Sequence, residues 1–70
     1  MEQLSVSERT AENIYDLLRE GRMGKHSFIQ NFVNLSKRDD DSGVFYLTFL
    51  LAESNDEQIH KLLTEAVSKV

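Results

Sequence analysis

The chain has 70 residues, no cysteine and a net charge of −4 from 12 acidic residues against 8 lysines and arginines. This length allows a single domain, 1–70. The absence of cysteine excludes disulfides and thiolate metal sites. The excess of acidic residues argues against a general affinity for nucleic-acid phosphates. A domain near this size buries only about 60 % of the surface that its unfolded chain exposes, so a second copy or a partner protein is the expected additional source of stability.

The first predicted helix spans residues 6–21. Ser5 followed by Glu8 fits a capping box, in which each side chain satisfies a free backbone N–H of the other residue. Gly21 is the expected end, because glycine readily adopts the left-handed conformation that terminates helices. Helical spacing places four apolar residues on one face: Ala11, Ile14, Leu17 and Leu18.

A short basic connector, 22–26, separates the first helix from the second, and the glycines in and before it favour a turn. Ser27 and Gln30 then fit a second capping box, which predicts a helix over residues 27–38. Its apolar face is broader than a coiled-coil seam and consists of Phe28, Ile29, Phe32, Val33 and Leu35.

The most apolar stretch is 44–52, in which eight of nine residues are apolar or aromatic. Its β-branched and aromatic residues favour a strand, and a run this short cannot be assigned by periodicity alone. A helix over 43–53 is preferred because no other segment resembles a strand, and because the Asp-Asp-Asp-Ser segment 39–42 supplies N-cap candidates and negative charge. The alternative is a strand that pairs with the same run of a second copy.

A helix over this run would be apolar on three sides. Three short amphipathic neighbours can cover two of those sides but not all three, so we expect part of the helix to form an interface; a fully covered monomeric core is the alternative. The sides comprise Val44, Leu47 and Leu51; Phe45, Phe49 and Ala52; and Tyr46 with Leu50. The residues expected in the interface are Phe28, Phe32, Phe45, Phe49 and Leu50.

The fourth predicted helix spans 55–69, after a third capping box in the Ser-Asn-Asp-Glu segment 54–57. An unbroken apolar stripe follows, made of Ile59, Leu62, Leu63, Ala66, Val67 and Val70. The predicted fold is therefore all-α, a compact bundle of four short helices completed by homodimerisation.

Positive charge is concentrated between Gly21 and Arg38, a segment without any acid. The candidate partner-binding residues there are Arg22, Lys25, Lys37 and Arg38. They are expected to contact an acidic surface of a partner protein, unless they serve only as turn and helix-end residues. The alternative is a dimeric, transcription-linked DNA-binding protein that uses the basic 22–38 segment, although no polar recognition helix stands out.

Catalytic and metal-binding motifs are not evident. Read as a calcium loop, the three consecutive aspartates before Gly43 would place Arg38 first and Phe49 twelfth, where oxygen ligands are required. His26 and His60 lie far apart without ligand or nucleophile spacing. We therefore expect a non-enzymatic protein with no cofactor and no metal site.

These features together predict a small regulatory or adaptor protein that binds another protein, as an inhibitor, anti-activator or sequestering partner. Residues 1–5 contain no basic region followed by an apolar stretch, so no signal peptide is expected. The apolar run of nine residues is shorter than the roughly 20 needed to span a bilayer. The expected location is the cytoplasm, without membrane contact.

Overall fold

The computed structural model describes residues 4–38 and 40–70, and this part of the chain contains four α-helices and no β-strand. The prediction of an all-α fold is confirmed, and the alternative of a dimer-paired strand over residues 44–52 is wrong. The helices are α1, Val6–Arg19; α2, Lys25–Ser36; α3, Ser42–Glu53; and α4, Glu57–Ser68.

Both ends of α1 follow the predicted chemistry. The Glu8 backbone N–H donates to Ser5 Oγ over 3.2 Å, and the Ser5 backbone N–H donates to Glu8 Oε1 over 3.1 Å, which completes the capping box. Gly21 adopts a φ of 74°, and the N–H of Arg22 donates to the carbonyl of Leu17 over 2.9 Å. This is the hydrogen-bonding pattern of a Schellman motif, so the helix ends two residues before the predicted position 21.

The capping box predicted at Ser27 is wrong. α2 begins two residues earlier, at Lys25, with Gly24 at the N-cap and no side-chain hydrogen bond to the first turn. Ser27 is already helical, and its carbonyl accepts a 2.7 Å hydrogen bond from the Asn31 side chain. An N-cap residue typically has extended backbone geometry, which Gly24 has, whereas Ser27 lies inside the helix.

The caps of α3 and α4 also differ from the predicted ones. Asp56 caps α4, since its Oδ1 accepts from the Gln58 N–H over 2.9 Å, while Ser54 accepts from the Asp56 N–H instead. At α3 the Ser42 N–H donates to Asp40 Oδ1 over 2.9 Å, and Asp41 at the N-cap makes no side-chain hydrogen bond. The remaining predicted cap, Asp39, lies outside the described residues.

Replacing Ser5 with alanine removes the acceptor for the first turn of α1, and we expect a loss of about 1 kcal/mol in the free energy of unfolding. Replacing Ser27 with alanine, inside α2, is the matched control and should change stability by less than about 0.5 kcal/mol. Urea denaturation of the two variants measures the difference. Equal losses would show that Ser5 does not act as a cap.

α1 and α3 form the most extensive helix pair and run in the same direction, because their contacts pair residues in the same chain order. The pairs are Ser5 with Ser42, Ser7 with Gly43, and Glu12 with Tyr46. α2 connects the two helices and contacts both of them, and α4 packs against α2 and α3.

Gly43 is the point at which α3 approaches α1 most closely. A Cβ added to this residue would lie 2.7 Å from the Cβ and 2.7 Å from the carbonyl oxygen of Ser7, whereas ordinary contact begins near 3.4 Å. Ser7 is itself buried beneath α3. The glycine is therefore required by the helix approach, which no larger residue permits without separating α1 from α3.

The core is made of apolar side chains from all four helices. Its largest fully buried members are Phe28, Leu47 and Leu51. The radius of gyration is 11.2 Å, close to the roughly 11 Å expected for a compact chain of this length, so the helices pack into one body. The other core residues are Ala11, Ile14, Phe32, Leu35, Ile59 and Ala66.

Candidate protein-binding surface

The outward side of α3 carries large apolar side chains. Leu47 and Leu51 point into the core and are fully buried, while Phe45 is 69 % exposed and Phe49 is 58 % exposed. Phe49 follows Phe45 by four positions, so both lie on one side of the helix, with the exposed Ala52 one turn further along. We call Phe45, Phe49 and Ala52 the α3 outer face.

No charged residue occurs on α3 between Ser42 and Ala52. A surface helix usually carries polar and charged side chains opposite its core-facing stripe, and a helix that is apolar all round is usually buried. α3 has the composition of a buried helix, but the other three helices leave its outer face in solvent. This is the geometry expected if part of α3 forms an interface.

Acidic residues lie around this face. Asp40 and Asp41 stand at the N-terminal end of α3, Glu53 is its last residue, and α1 lies along one side. The sequence from 39 to 57 contains six acids and no lysine or arginine. The α3 outer face is thus an uncharged apolar strip with negative charge at both ends.

Tyr46 shows which side of α1 borders the face. Its hydroxyl donates to Glu12 Oε2 over 3.2 Å. Partial burial raises the pKa of the Tyr46 phenol above its usual value, as do the hydrogen bond to Glu12 and the charges of Glu12, Glu8 and Asp16. These three carboxylates follow one another at four-residue intervals along α1, so they form a row beside α3.

The charge of this row is concentrated toward the start of α1. Asp16 accepts a 3.4 Å hydrogen bond from Arg19, which offsets its charge. No ion pair involves Glu8 or Glu12 among the described side chains. Hydrogen bonds from Ser42, and to a smaller extent the positive charge of Arg38, lower the pKa of Asp40 and keep that carboxyl ionised at the end of the face. We call Glu8, Glu12, Asp40, Asp41 and Glu53 the acidic border.

The five phenylalanine and leucine positions predicted as an interface do not form one surface. Phe28 and Phe32 are 0 % and 2 % exposed, and their ring centroids lie 6.0 Å apart within the core. Leu50 is partly buried. Only Phe45 and Phe49 present most of their rings to solvent, because their positions on α3 lie opposite Leu47 and Leu51.

The four predicted basic partner-binding residues are also divided. Lys25 is the first residue of α2 and Lys37 follows its last, so about 18 Å of helix separates them. Arg22 pairs with Glu20 over 3.7 Å, and Lys25 Nζ lies 3.0 Å from Glu65. Arg38 follows Lys37 at the far end. The segment therefore does not present one basic face, and the DNA-binding alternative gains no support from this arrangement.

Metal binding and histidine-based catalysis would each require a particular arrangement of side chains within residues 4–38 and 40–70. No group of three or more histidine, cysteine, aspartate or glutamate side chains is arranged to hold a metal ion there. His60 lines a shallow depression on the outer side of α4, together with Lys61, Thr64, Glu65 and Ser68. His26 is exposed on the first turn of α2. The Thr64 hydroxyl beside His60 donates to the His60 backbone carbonyl over 3.1 Å, not to its imidazole.

Within the described residues, none of the helices has the length and apolar character required to cross a membrane. Comparison with protein-family models, with curated proteins and with solved structures finds no match to this chain. Its function must therefore be inferred from the geometry of its own surface.

Proposed function

We propose that this protein is a small non-enzymatic regulatory or adaptor protein that acts by binding another protein through the α3 outer face. The observation that supports this is the exposure of Phe45 and Phe49 on a helix that carries no charge from Ser42 to Ala52. Two large aromatic side chains exposed side by side on an uncharged helix make this face the best candidate for an interaction site among the described residues.

The energy available from this surface is considerable for a protein of this size. A phenylalanine side chain buries about 200 Å², so the exposed parts of Phe45 and Phe49 amount to roughly 250 Å². At about 25 cal/mol per Å², covering them contributes roughly 6 kcal/mol before the costs of association are subtracted. This gain is comparable to the cost of association, so a stable complex requires a partner that covers both rings and makes further contacts around them.

We also propose that a second copy occupies the same face when no partner is present, as a twofold homodimer. A stable interface buries about 800 Å² on each side, and the two phenylalanine rings supply only about a third of that area. Pairing of two copies is therefore expected to be weak and reversible. A weak homodimer shields the α3 outer face from solvent and still dissociates readily when a partner protein binds.

Phe49→Asp tests the proposal, because a carboxylate placed in the centre of the face cannot be buried without a partner. Phe49 is mostly exposed, so the variant should keep the helical content and unfolding midpoint of the wild type. It should lose concentration-dependent association in light scattering, and it should no longer retain proteins from an extract of the source cells.

Val67→Asp is the matched control, since Val67 is 52 % exposed on α4 and receives the same charge outside the face. It should behave as the wild type in both measurements. If the Phe49 and Val67 variants associate equally well, the α3 outer face is not the binding surface.

A further inference from the structure

We infer that the partner segment bound by the α3 outer face is a basic amphipathic helix, with an apolar stripe on Phe45, Phe49 and Ala52 and lysines or arginines over the acidic border. This inference rests on the proposed function and adds the chemistry of the occupant.

The acidic border favours a cationic partner. The face itself has no charge with which to select a partner, so electrostatic selection depends on Glu8 and Glu12 along one side and on the carboxylates at the two ends. Complementary charge across an interface increases the association rate and excludes partners of the wrong sign. A helix with cations along one edge of its apolar stripe satisfies both parts of the surface together.

The dimensions of the face suit a helix. Phe45, Phe49 and Ala52 follow one side of a 12-residue helix, which is about 18 Å long. An amphipathic partner helix of similar length presents apolar side chains at three- and four-residue spacing, which matches this strip when the helices pack side by side. The apolar side chains would contact the rings, and the long cationic side chains would reach the border.

A second copy of the chain complements the charge of the acidic border less well than a basic helix does. When two α3 helices pair in parallel, the Asp40 and Asp41 ends of both copies come together. When they pair in antiparallel orientation, each of those ends meets Glu53 of the other copy, and the Glu8 and Glu12 rows fall on the same flank. Both arrangements place like charges opposite one another, which costs affinity. The same border repels anionic lipid surfaces.

The probe is a synthetic, fluorescently labelled helical peptide with leucines at i, i+3, i+4 and i+7 and lysines along the edge of that stripe. Two further peptides are compared with it. The first replaces the lysines with glutamates and keeps the stripe, and the second has the same composition in scrambled order. We expect the basic peptide to bind at least about tenfold more tightly than either, with an affinity that falls as salt is added.

Protein variants separate the charge contribution from the apolar contribution. Glu8→Gln with Glu12→Gln keeps the capping box and the acceptor for Tyr46, yet removes two charges from the border. It should weaken the basic peptide about threefold to tenfold, because each rim pair contributes modestly. Glu20→Gln with Glu65→Gln changes the net charge equally near the α1–α2 turn and should have little effect.

Phe49→Ser should weaken the basic peptide at least about tenfold, and Val67→Ser should not. If the glutamate peptide binds as well as the lysine peptide, and Phe49→Ser weakens both, the face binds proteins but the inference about charge is wrong. If no peptide binds while the wild type dimerises through Phe49, the occupant is a second copy. If Phe49→Ser changes nothing in any assay, the proposed function fails as well.

Discussion

Replacing Gly43 with alanine is expected to lower the free energy of unfolding by about 1–3 kcal/mol, although alanine is the better helix former. The added Cβ would lie 2.7 Å from Ser7 Cβ and from the Ser7 carbonyl oxygen, and the backbone oxygen cannot move without moving α1. In a domain of this size each kcal/mol lowers Tm by about 4–8 °C. Thermal and urea denaturation both measure the loss.

Gly24→Ser is the matched control for this substitution. Gly24 caps α2, no atom lies within 4 Å of its added Cβ, and serine is a preferred N-cap residue. Its stability should equal or exceed that of the wild type. If Gly43→Ala is as stable as Gly24→Ser, then α1 and α3 do not pack as closely as described.

Replacing Phe28 with alanine should cost about 3–5 kcal/mol, the largest effect of any single substitution considered, because the ring is fully buried and its removal leaves a cavity. For a domain of marginal stability this is enough to populate the unfolded state at room temperature. Circular dichroism and urea denaturation report the change. If the alanine variant does not fold, Phe28→Leu should lie between it and the wild type.

Phe45→Ala makes the same chemical change on the α3 outer face. Because Phe45 is largely exposed, its truncation should change the stability of the monomer by less than about 0.5 kcal/mol, measured at a concentration too low for association. A large loss at Phe45, or none at Phe28, would reverse the assignment of core and surface. The pair therefore tests which phenylalanines support the fold.

The existence and approximate positions of the four helices could be predicted from the sequence. Apolar residues at three- and four-residue spacing define α1 and α4, and the Ser5–Glu8 capping box marks the start of α1. The predicted helix over 43–53 differs from α3 by one residue at its start. These features depend on interactions between residues that are close in the sequence, so they can be predicted from the sequence alone.

Tertiary placement was harder to predict. Phe28 and Phe32 have the same chemistry as Phe45 and Phe49, and only the packing of α2 against three other helices places the first pair inside. The Ser27–Gln30 pattern fits a capping box as well as Ser5–Glu8 does, but the chain is already helical before it. Sequence patterns that look alike locally therefore adopt different structures, because contacts between residues distant in the sequence decide which of them is buried or caps a helix.

The acidic border could not be predicted from local sequence patterns either. Glu8 and Glu12 precede Phe45 by more than thirty positions, and they become neighbours of α3 only because α1 and α3 run in the same direction. A sequence signal was nonetheless present, since every charged residue from 39 to 57 is acidic. Acidic residues on both sides of an uncharged apolar run favour a partner of positive charge.

The pairing of α1 with α3 also bears on how the chain acquires its structure during synthesis. The apolar stripe of α1 is covered mainly by a helix that begins more than twenty residues after α1 ends. Since a lone helix of 14 residues is marginal in water, α1 gains its principal support only after α3 has left the ribosome. We therefore expect α1 to become stably folded only once residues 42–53 are available to pack against it.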